Sequence, residues 1–349
     1  MKQLALCSAM ALTLFSATVA NAQSNNSRTD TLRVVTSSNT QANELLVYKT
    51  DGSLAQQIKT GGIGGASGNA GGIAQNHDLL AVVNFGSKNV TLFAKDANLG
   101  LHPIGLIPAV DSPLSVVFRN DHLYILSATH VESHAVERAN VSPRPDGQTT
   151  LVVADGSAAQ VGAVDGELVI SEKTNVIETV ALTKSGAISG STKTVANIPA
   201  NVNAPFGLVT RGNDAYVTIA HANEISLVRD DAVLTVTGSD TQQAPCWVTL
   251  DGPFLFSSNS PSHTVSRYAV YGQKIIQDAA VVATFQGNPT DIVYRDDLAA
   301  VVDANGTVSH VSIFDVDEDG NFKLKHAVTI NNIATNGIAI LRDDSRFNF

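Results

Sequence analysis

Short apolar runs rich in β-branched residues alternate with clusters of glycine, asparagine and aspartate along most of the chain. The clearest examples are the paired runs at 205–209 and 215–219, 245–249 and 254–256, and 289–293 and 298–302. In each pair a polar turn separates two segments that are too short for helices. This pattern predicts antiparallel β-strands joined by tight turns.

The strand pairs recur at a regular interval. Aligning the whole sequence on the three clear copies gives seven equivalent positions, at Ala70, Pro113, Ala158, Pro205, Pro245, Pro289 and Thr335. Successive positions, called blade anchors below, are 40 to 47 residues apart. A four-stranded propeller blade has this length, whereas helical repeats of similar length would show a 3.6-residue period.

The two ends of the chain are predicted to share one blade. The last full copy contains four expected strands, at 291–294, 298–302, 308–314 and 322–328. A further apolar run at 337–341 has no successor, and the segment at 33–36 is left to pair with it. Such pairing closes the ring and leaves no long free sheet edge. The predicted fold class is therefore all-β: a seven-bladed β-propeller of four-stranded antiparallel blades, closed by pairing of the N- and C-terminal strands.

The first 22 residues have the features of a secretory signal peptide. Lys2 precedes an apolar stretch at 4–19, and Ala20-Asn21-Ala22 forms a small-x-small cleavage pattern. We expect residues 1–22 to be removed and residues 23–349 to form a single propeller domain, secreted or periplasmic. No later apolar run approaches the ~18 residues of a membrane span. We therefore expect no membrane span, and we expect a monomer.

Composition narrows the range of partners. Hydrophobic residues make up 44% of the chain and charged residues 15%, which is enough apolar material for a full-sized core. The formal net charge is −10 and the sequence has no long basic run, so nucleic acid is not an expected partner. Cys7 lies in the predicted signal peptide, which leaves Cys246 without a disulfide partner. Stability is therefore expected to come from packing.

Residues 315–320 read Asp-Val-Asp-Glu-Asp-Gly, the order found at the start of a calcium-binding loop. The twelfth position of such a loop is normally glutamate, and here it is His326. At the equivalent place, other copies have turn sequences at 50–52, 95–98 and 184–186. We favour a hairpin turn between the third and fourth strands of the last blade, with calcium binding as the alternative.

Seven glycines fall between positions 61 and 72. The stretch lacks the Gly-Lys-Ser/Thr ending of a phosphate-binding loop, and a strand rather than a helix is expected after it. We expect a mobile connection between blades one and two.

A longer loop is expected from Ser127 to Val141. It contains four residues of metal-ligand type: His130, Glu132, His134 and Glu137. Two histidines four residues apart could hold a metal on a helix, but no third ligand is identifiable. We expect a solvated loop, with no metal and no cofactor.

Polar residues recur about fourteen positions after the anchors, where the second strand of each copy should end. They are Asn84, Ser127, Glu172, Asn259 and Asp303, with His221 nearby in the copy that begins at Pro205. In a propeller these residues would line one rim of the central channel. Two interpretations remain open: they contact a ligand, or they only start turns, because such residues bond to their own backbone.

The copies that contain residues 245–268 and 80–93 resemble lactonase-type seven-bladed propellers, the family of 6-phosphogluconolactonases and carboxymuconate cyclases. The resemblance covers nearly the whole mature chain. It implies a lactone substrate, with histidine and arginine pointing into the channel just after the anchors. None of the seven corresponding pairs of residues here contains His, Arg or Lys. Apart from the Cys246 thiol, Asp291 is the one ionisable acid–base group at these positions.

Two functional hypotheses follow. The first is an exported, non-catalytic propeller that binds a small molecule, glycan or protein over its rim, with Asn84, Ser127, Asn259, Trp247 and Gln160 as candidate contacts. The second is a lactone-ring hydrolase or cyclase. Its catalytic candidates would be Asp291, Glu172, Asp303 and His221.

Overall fold

The computed structural model describes residues 32–66, 71–198 and 204–342. Within these ranges the chain forms 29 strands and one short 3-10 turn at Ala220–Ala222. The strands make seven antiparallel sheets, each packed against its neighbours to form a ring of seven blades. The predicted signal peptide lies outside the described residues, so its removal stays a prediction.

The blades follow one another in chain order from the innermost to the outermost strand. Blade 1 contains β1 (Leu32–Ser37), β2 (Glu44–Lys49) and β3 (Leu54–Lys59). Blade 2 contains β4 (Ile73–Asn76), β5 (Leu79–Asn84), β6 (Asn89–Lys95) and β7 (Leu101–Pro108). Blade 3 contains β8 (Pro113–Arg119), β9 (His122–Ser127), β10 (His130–Glu137), β11 (Asn140–Val141) and β12 (Gly147–Thr150). Blade 4 contains β13 (Ala158–Val164), β14 (Glu167–Glu172), β15 (Val176–Ala181) and β16 (Lys193–Ala196).

The remaining blades have the same plan. Blade 5 contains β17 (Pro205–Arg211), β18 (Asp214–Ile219), β19 (Glu224–Arg229) and β20 (Ala232–Gly238). Blade 6 contains β21 (Pro245–Asp251), β22 (Phe254–Asn259), β23 (Thr264–Tyr271) and β24 (Lys274–Thr284). Blade 7 contains β25 (Asn288–Arg295), β26 (Leu298–Asn305), β27 (Val308–Val316) and β28 (Phe322–Ile330). The last strand, β29 (Asn336–Arg342), returns to blade 1.

The ring closes through the two ends of the described chain. Strand β29 is the innermost strand of blade 1 and pairs antiparallel with β1, with Val34 opposite Ile340 and Val35 opposite Ala339. The predicted fold class and the predicted closure are therefore confirmed. Blade 3 differs in one detail, because two short strands, β11 and β12, share the outermost place beside β10.

The apolar core lies between neighbouring sheets. Between blades 6 and 7, for example, the rings of Phe256 and Phe322 lie 4.9 Å apart, and those of Phe314 and Phe322 lie 5.3 Å apart. Tyr216 and Tyr268 fill the corresponding space between blades 5 and 6. Alternate residues of each strand therefore face opposite neighbours, which explains why both faces of the inner strands are apolar.

A register shift follows the anchor on the innermost strand of most blades. The shift lies between Pro113 and Ser115 in blade 3, between Pro245 and Trp247 in blade 6, and at matching places in blades 4, 5 and 7. One extra residue there bends the strand. Proline fits directly before the bulge because it cannot donate to the ladder.

The strand directions give the ring two distinct ends. One end, called the upper face, contains the turns between the second and third strands and the crossovers that run from each outermost strand to the next innermost strand. The opposite end, called the lower face, contains the turns between the first and second strands and between the third and fourth strands.

The prediction of a solvated loop at 127–141 is wrong. It contains strand β10, and Glu132 and His134 on that strand are fully buried. Their polarity suggested solvent exposure, but each makes a bond to neighbouring backbone: Glu132 accepts from the Val110 N–H at 2.9 Å, and His134 Nδ1 lies 2.9 Å from the Ser142 carbonyl.

The sequence at 315–320 forms the hairpin turn between β27 and β28, as favoured. A carboxylate oxygen of Asp317 accepts the backbone N–H groups of Asp319 and Asn321, at 3.1 and 2.8 Å. Within the three described ranges, no group of three or more histidine, cysteine, aspartate or glutamate side chains is placed to hold a metal ion.

The glycine-rich stretch connects blades 1 and 2, as predicted, but its described part at 61–66 is held in place rather than mobile. A Cβ on Gly64 would lie 2.3 Å from the backbone of Asn39, so no other residue fits there. The Asn39 side chain bonds to Gly65 N–H at 2.7 Å and to the Ala66 carbonyl. The glycines therefore permit close packing beside the ring closure.

Candidate functional site

The residues directly after the anchors meet at the axis of the ring. A Cβ on Gly71 of blade 2 would lie 2.8 Å from Ser115 Oγ of blade 3 and 3.2 Å from Gln160 Nε2 of blade 4. On its other side, Gly71 donates its N–H to Asp291 of blade 7. Gly71 has φ +67°, so a glycine is required at this crowded place.

Asp291, the principal catalytic candidate, is enclosed by backbone donors. The N–H groups of Ile292, Ile338 and Gly71 all donate to its carboxyl group, the first at 2.9 Å. Two of these donors belong to blades 1 and 2, so the side chain joins three blades. Burial raises the pKa of Asp291 to about 7, and the three N–H bonds oppose this rise only in part.

Ser115 and Gln160 also accept backbone N–H groups of a neighbouring blade, on the other side of the axis. The Ser115 hydroxyl accepts the N–H of Val161 in the next blade at 3.3 Å. The Gln160 amide oxygen accepts the N–H of Leu208, again in the next blade, at 2.8 Å. The Gln160 amide oxygen is therefore an inter-blade acceptor, and contact of this side chain with a ligand stays a prediction.

Blades 5 and 6 are joined at the axis by Thr218 and by aromatic packing. The Thr218 hydroxyl receives the Gly207 N–H at 2.9 Å and donates to the Cys246 carbonyl at 3.0 Å. Trp247 is buried and packs edge-on against Phe206, with the ring centroids 5.4 Å apart. Burial raises the pKa of the Cys246 thiol to about 12, so it stays protonated at neutral pH.

The polar residues at the ends of the second strands all lie at the upper end of their blades. Each faces its anchor across the sheet: Ser127 pairs with Pro113, Glu172 with Ala158, Asn259 with Pro245 and Asp303 with Pro289. All of them, and Asn84, are buried rather than presented to the channel mouth.

These buried residues hold the crossovers. The Asn84 amide donates to Thr91 Oγ1 at 2.7 Å, and its oxygen accepts from the hydroxyl of Thr60 on the crossover between blades 1 and 2. In blade 6 the Asn259 amide bonds to Ser266 at 2.8 Å and to Thr264 at 3.1 Å. We call such a buried side chain at the end of a second strand, together with its partner on the third strand, a tether.

Asp303 bonds to the third strand of its own blade, and Ser127 bonds to a crossover. Asp303 lies 3.0 Å from Nδ1 of His310, and Ser127 donates to the Asp111 carbonyl on its crossover at 3.1 Å. Sequence reasoning weighed ligand contact against turn formation and missed a third role, a buried bond to the third strand or to a crossover. The signal was present in the sequence, because Thr91, Ser266 and His310 each follow their partner by seven residues.

Blade 4 departs from the pattern because both tether residues are acids. Glu172 and Glu178 are both fully buried. Burial and the neighbouring Glu178 raise the pKa of Glu172 to about 8. His221, by contrast, is exposed on the 3-10 turn of blade 5. The four catalytic candidates thus occupy three blades and three kinds of environment.

The two faces of the ring differ sharply in charge. The described upper turns and crossovers contain five charged residues among 62 positions: Lys88, Asp111, Asp155, Lys173 and Asp240. Two of these, Lys88 and Asp111, form an ion pair at 2.8 Å. The turns of the lower face contain 14 charged residues among 43 positions, and 12 of the 14 are acidic. The net negative charge is therefore concentrated at the lower end.

Exposed aliphatic side chains occur on five of the seven crossovers of the upper face. They are Ile63, Val110, Val152, Ile198 and Ile333, with exposed fractions of 37% to 59%. No aromatic side chain of this face is among the strongly exposed hydrophobic residues of the described ranges. Sequence reasoning, which concentrated on the channel, missed this surface.

Neither a protein-family model nor a curated protein matches the sequence. Solved structures do match. A provisionally named 6-phosphogluconolactonase from Bacteroides fragilis has a TM-score of 0.63 at 14% identity, covering 90% of this chain and 99% of its own. The periplasmic gluconolactonase of Pseudomonas aeruginosa has a TM-score of 0.63 at 13% identity, covering 89% and 99%.

The fold is that of the lactonase-like seven-bladed propellers. Virginiamycin B lyase from Staphylococcus aureus also has this architecture, with a TM-score of 0.59 at 11% identity over 79% of this chain and 91% of its own. At such identities the likeness establishes the propeller fold of this chain and leaves its chemistry to the residues. In its described residues, no helix is long and apolar enough to cross a membrane.

Proposed function

We propose that this lactonase-like propeller is an exported, non-catalytic binding module that recognises a protein partner through its upper face. One observation carries the proposal: the polar side chains at the axis are already engaged by backbone groups of neighbouring blades. Asp291 accepts three N–H groups, and Gln160 accepts one from blade 5. A carboxylate held in this way has little freedom to bind a substrate or move its proton.

The chemistry of the upper face favours an uncharged protein surface as the partner. Its exposed aliphatic residues are spread over five crossovers around the ring, so a ligand that touches several of them must be large. Glycan binding would be favoured by exposed aromatic platforms, which the described part of this face does not offer. Few charges on the face mean a low desolvation cost for an apolar partner.

Lactone hydrolysis or cyclisation is the second candidate. Two findings favour it: the likeness to the gluconolactonase of Pseudomonas aeruginosa, and a pKa of about 7 for Asp291, which suits a general base near neutral pH. Against it, no histidine or arginine occupies the positions after the anchors, and Glu172, Asp303 and His221 do not converge on Asp291.

A lactone panel separates the two candidates. Purified wild-type protein is assayed with gluconolactone, muconolactone and simple γ- and δ-lactones beside an Asp291→Asn variant. We expect neither protein to exceed the uncatalysed rate. Turnover by the wild type that is lost in the variant would establish the enzyme instead, provided that the variant keeps its native circular dichroism spectrum.

Binding through the upper face is tested with paired charge substitutions. Val110→Asp with Ile333→Asp places charge on the proposed surface, and Leu54→Asp with Leu324→Asp places it on equally exposed positions of outer strands. A partner captured from the exported fraction of the source organism is purified, and its affinity for each protein is measured. We expect the first pair alone to weaken binding, at low and high salt alike. Equal loss in both pairs, or no loss, rejects the upper face.

A further inference from the structure

The crossover from blade 3 to blade 4, at 151–157, is held at both ends by buried glutamates. Near its start, the N–H groups of Val152 and Val153 donate to the Glu178 carboxylate at 2.9 and 2.7 Å. Near its end, the Ser157 hydroxyl donates to Oε2 of Glu172 at 3.0 Å. Both glutamate side chains are fully buried.

In blades 2, 6 and 7 the residues at the end of the second strand and on the facing third strand form a donor and an acceptor. Asn84 donates to Thr91, Asn259 donates to Ser266, and Asp303 faces a ring nitrogen of His310. In blade 4, where the turn between the second and third strands is one residue shorter than in blades 2 and 6, the corresponding positions hold Glu172 and Glu178. Two ionised carboxylates offer only acceptors. Oε1 of Glu172 is buried and has no hydrogen-bond partner among the described residues. A proton on one of the two carboxyl groups supplies the O–H donor that this pair lacks.

The surroundings of Glu172 favour its protonated form. Glu178 accepts two backbone N–H groups, whereas Glu172 accepts one hydroxyl. The charged groups acting on Glu172 are Glu178 and Asp155, which oppose its ionisation, and Lys173, which favours it more weakly. Burial is the largest influence, and it raises the pKa of Glu172 to about 8.

We propose that the 151–157 crossover is a proton-dependent latch, closed while Glu172 carries a proton and loosened when that proton is lost. Loss of the proton leaves the Glu172 anion buried beside a second buried carboxyl group on the same hairpin, and the crossover that covers them must open to admit water. Val152, exposed on the upper face, moves with this crossover. The effect on partner binding rests on the proposed function, but the latch itself does not.

The sign of the pH dependence follows from the pKa. When the crossover opens and Glu172 becomes solvated, its pKa returns towards the ordinary value of 4.5. The closed form therefore holds more protons than the open form between the two values, and the closed state weakens as the pH rises through this interval. Above pH 8 both forms are ionised and the effect levels off.

Hydrogen exchange of the full chain without any partner tests the latch. Exchange is measured by mass spectrometry from pH 6 to 9 and normalised to the intrinsic rate at each pH. For peptides covering 151–157, the open fraction should rise by up to about tenfold per pH unit from pH 6 to 8. The blade 6 crossover at 239–244, tethered by Asn259, is the internal control and should stay flat.

Two variants complete the test. Glu172→Gln carries a permanent neutral amide and should keep the crossover closed at every pH. Glu178→Gln removes an acceptor for Val152 or Val153 and should open it at every pH. A flat wild-type profile at 151–157 overturns the latch, and so does a slope that persists in Glu172→Gln. Because no partner is present, this result is independent of the lactone and binding experiments.

Discussion

Polar side chains at the axis of this propeller serve as acceptors for backbone groups of other blades. Asp291, Gln160 and Ser115 each accept an N–H from another blade. Their partners lie 46 or more residues away in sequence, so a sequence cannot show whether such a residue meets a ligand or a backbone amide. The type of residue indicated a site, and the three-dimensional partners give it a structural role.

Replacing Asp291 should therefore affect folding first. Asp291→Ala leaves three buried N–H groups without an acceptor and is expected to reduce the free energy of unfolding by about 2 kcal/mol or more. Asp291→Asn keeps one acceptor oxygen and should cost less. Urea denaturation at pH 7 measures both. A fully stable Ala variant would show that the carboxylate is not a structural acceptor.

The ionisation of Asp291 should also make the free energy of unfolding depend on pH. Its folded pKa of about 7 exceeds the ordinary value of 3.8, so the folded state holds more protons between these values. The contribution of Asp291 to stability is therefore greatest below about pH 4 and declines as the pH rises towards 7. The Asn variant should show a flatter profile than the wild type over this interval, and an unchanged profile would contradict the assignment.

At the scale of the strand, the repeated unit includes a crossover and the buried side chain that holds it. The amide of Asn259 bonds to Thr264, whose hydroxyl donates to Gln242 on the crossover at 239–244. This chain of contacts explains why Asn, Ser, Glu and Asp recur at the ends of the second strands. A turn formed by local bonds alone would not require full burial.

Asn259→Ala tests this role against a matched asparagine. The substitution leaves Ser266 and Thr264 without a partner inside the blade, and we expect a loss of about 1–3 kcal/mol in unfolding free energy. Exchange at 239–244 should also increase. Asn305→Ala is the control, because Asn305 also ends a second strand but is exposed, and it should change stability by less than about 0.5 kcal/mol. Equal effects would refute the tether.

At the scale of the molecule, the repeat and its closure were predictable from sequence, and the use of the polar residues was not. Six of the anchors, the four strands of the last blade and the pairing of 33–36 with 337–341 follow from local patterns, and the seventh anchor, Ala70, lies outside the described residues. Strand β10 was missed because Glu132 and His134 are polar, although both are buried. The low charge of the upper face becomes visible only when the turns of all blades are grouped by the end of the ring they occupy.

Closure by β29 should decide whether the ring is stable at all. Ile338, Ile340 and Leu341 are buried on this strand, and each buried side chain of this size contributes about 1.5–3 kcal/mol. Together they approach the whole stability of an ordinary domain, about 5–15 kcal/mol. Deleting them also leaves the inner edge of β1 unpaired and open to association with other chains.

A chain ending at residue 335 is therefore expected to aggregate or to lose its cooperative thermal transition. A chain ending at residue 342 keeps all of β29 and should melt at the same temperature as the full chain. Calorimetry and light scattering compare the two. If the shorter chain melted cooperatively within a few degrees of the longer one, the six remaining complete blades would be stable without closure, and the pairing of the two ends would not be what holds the ring.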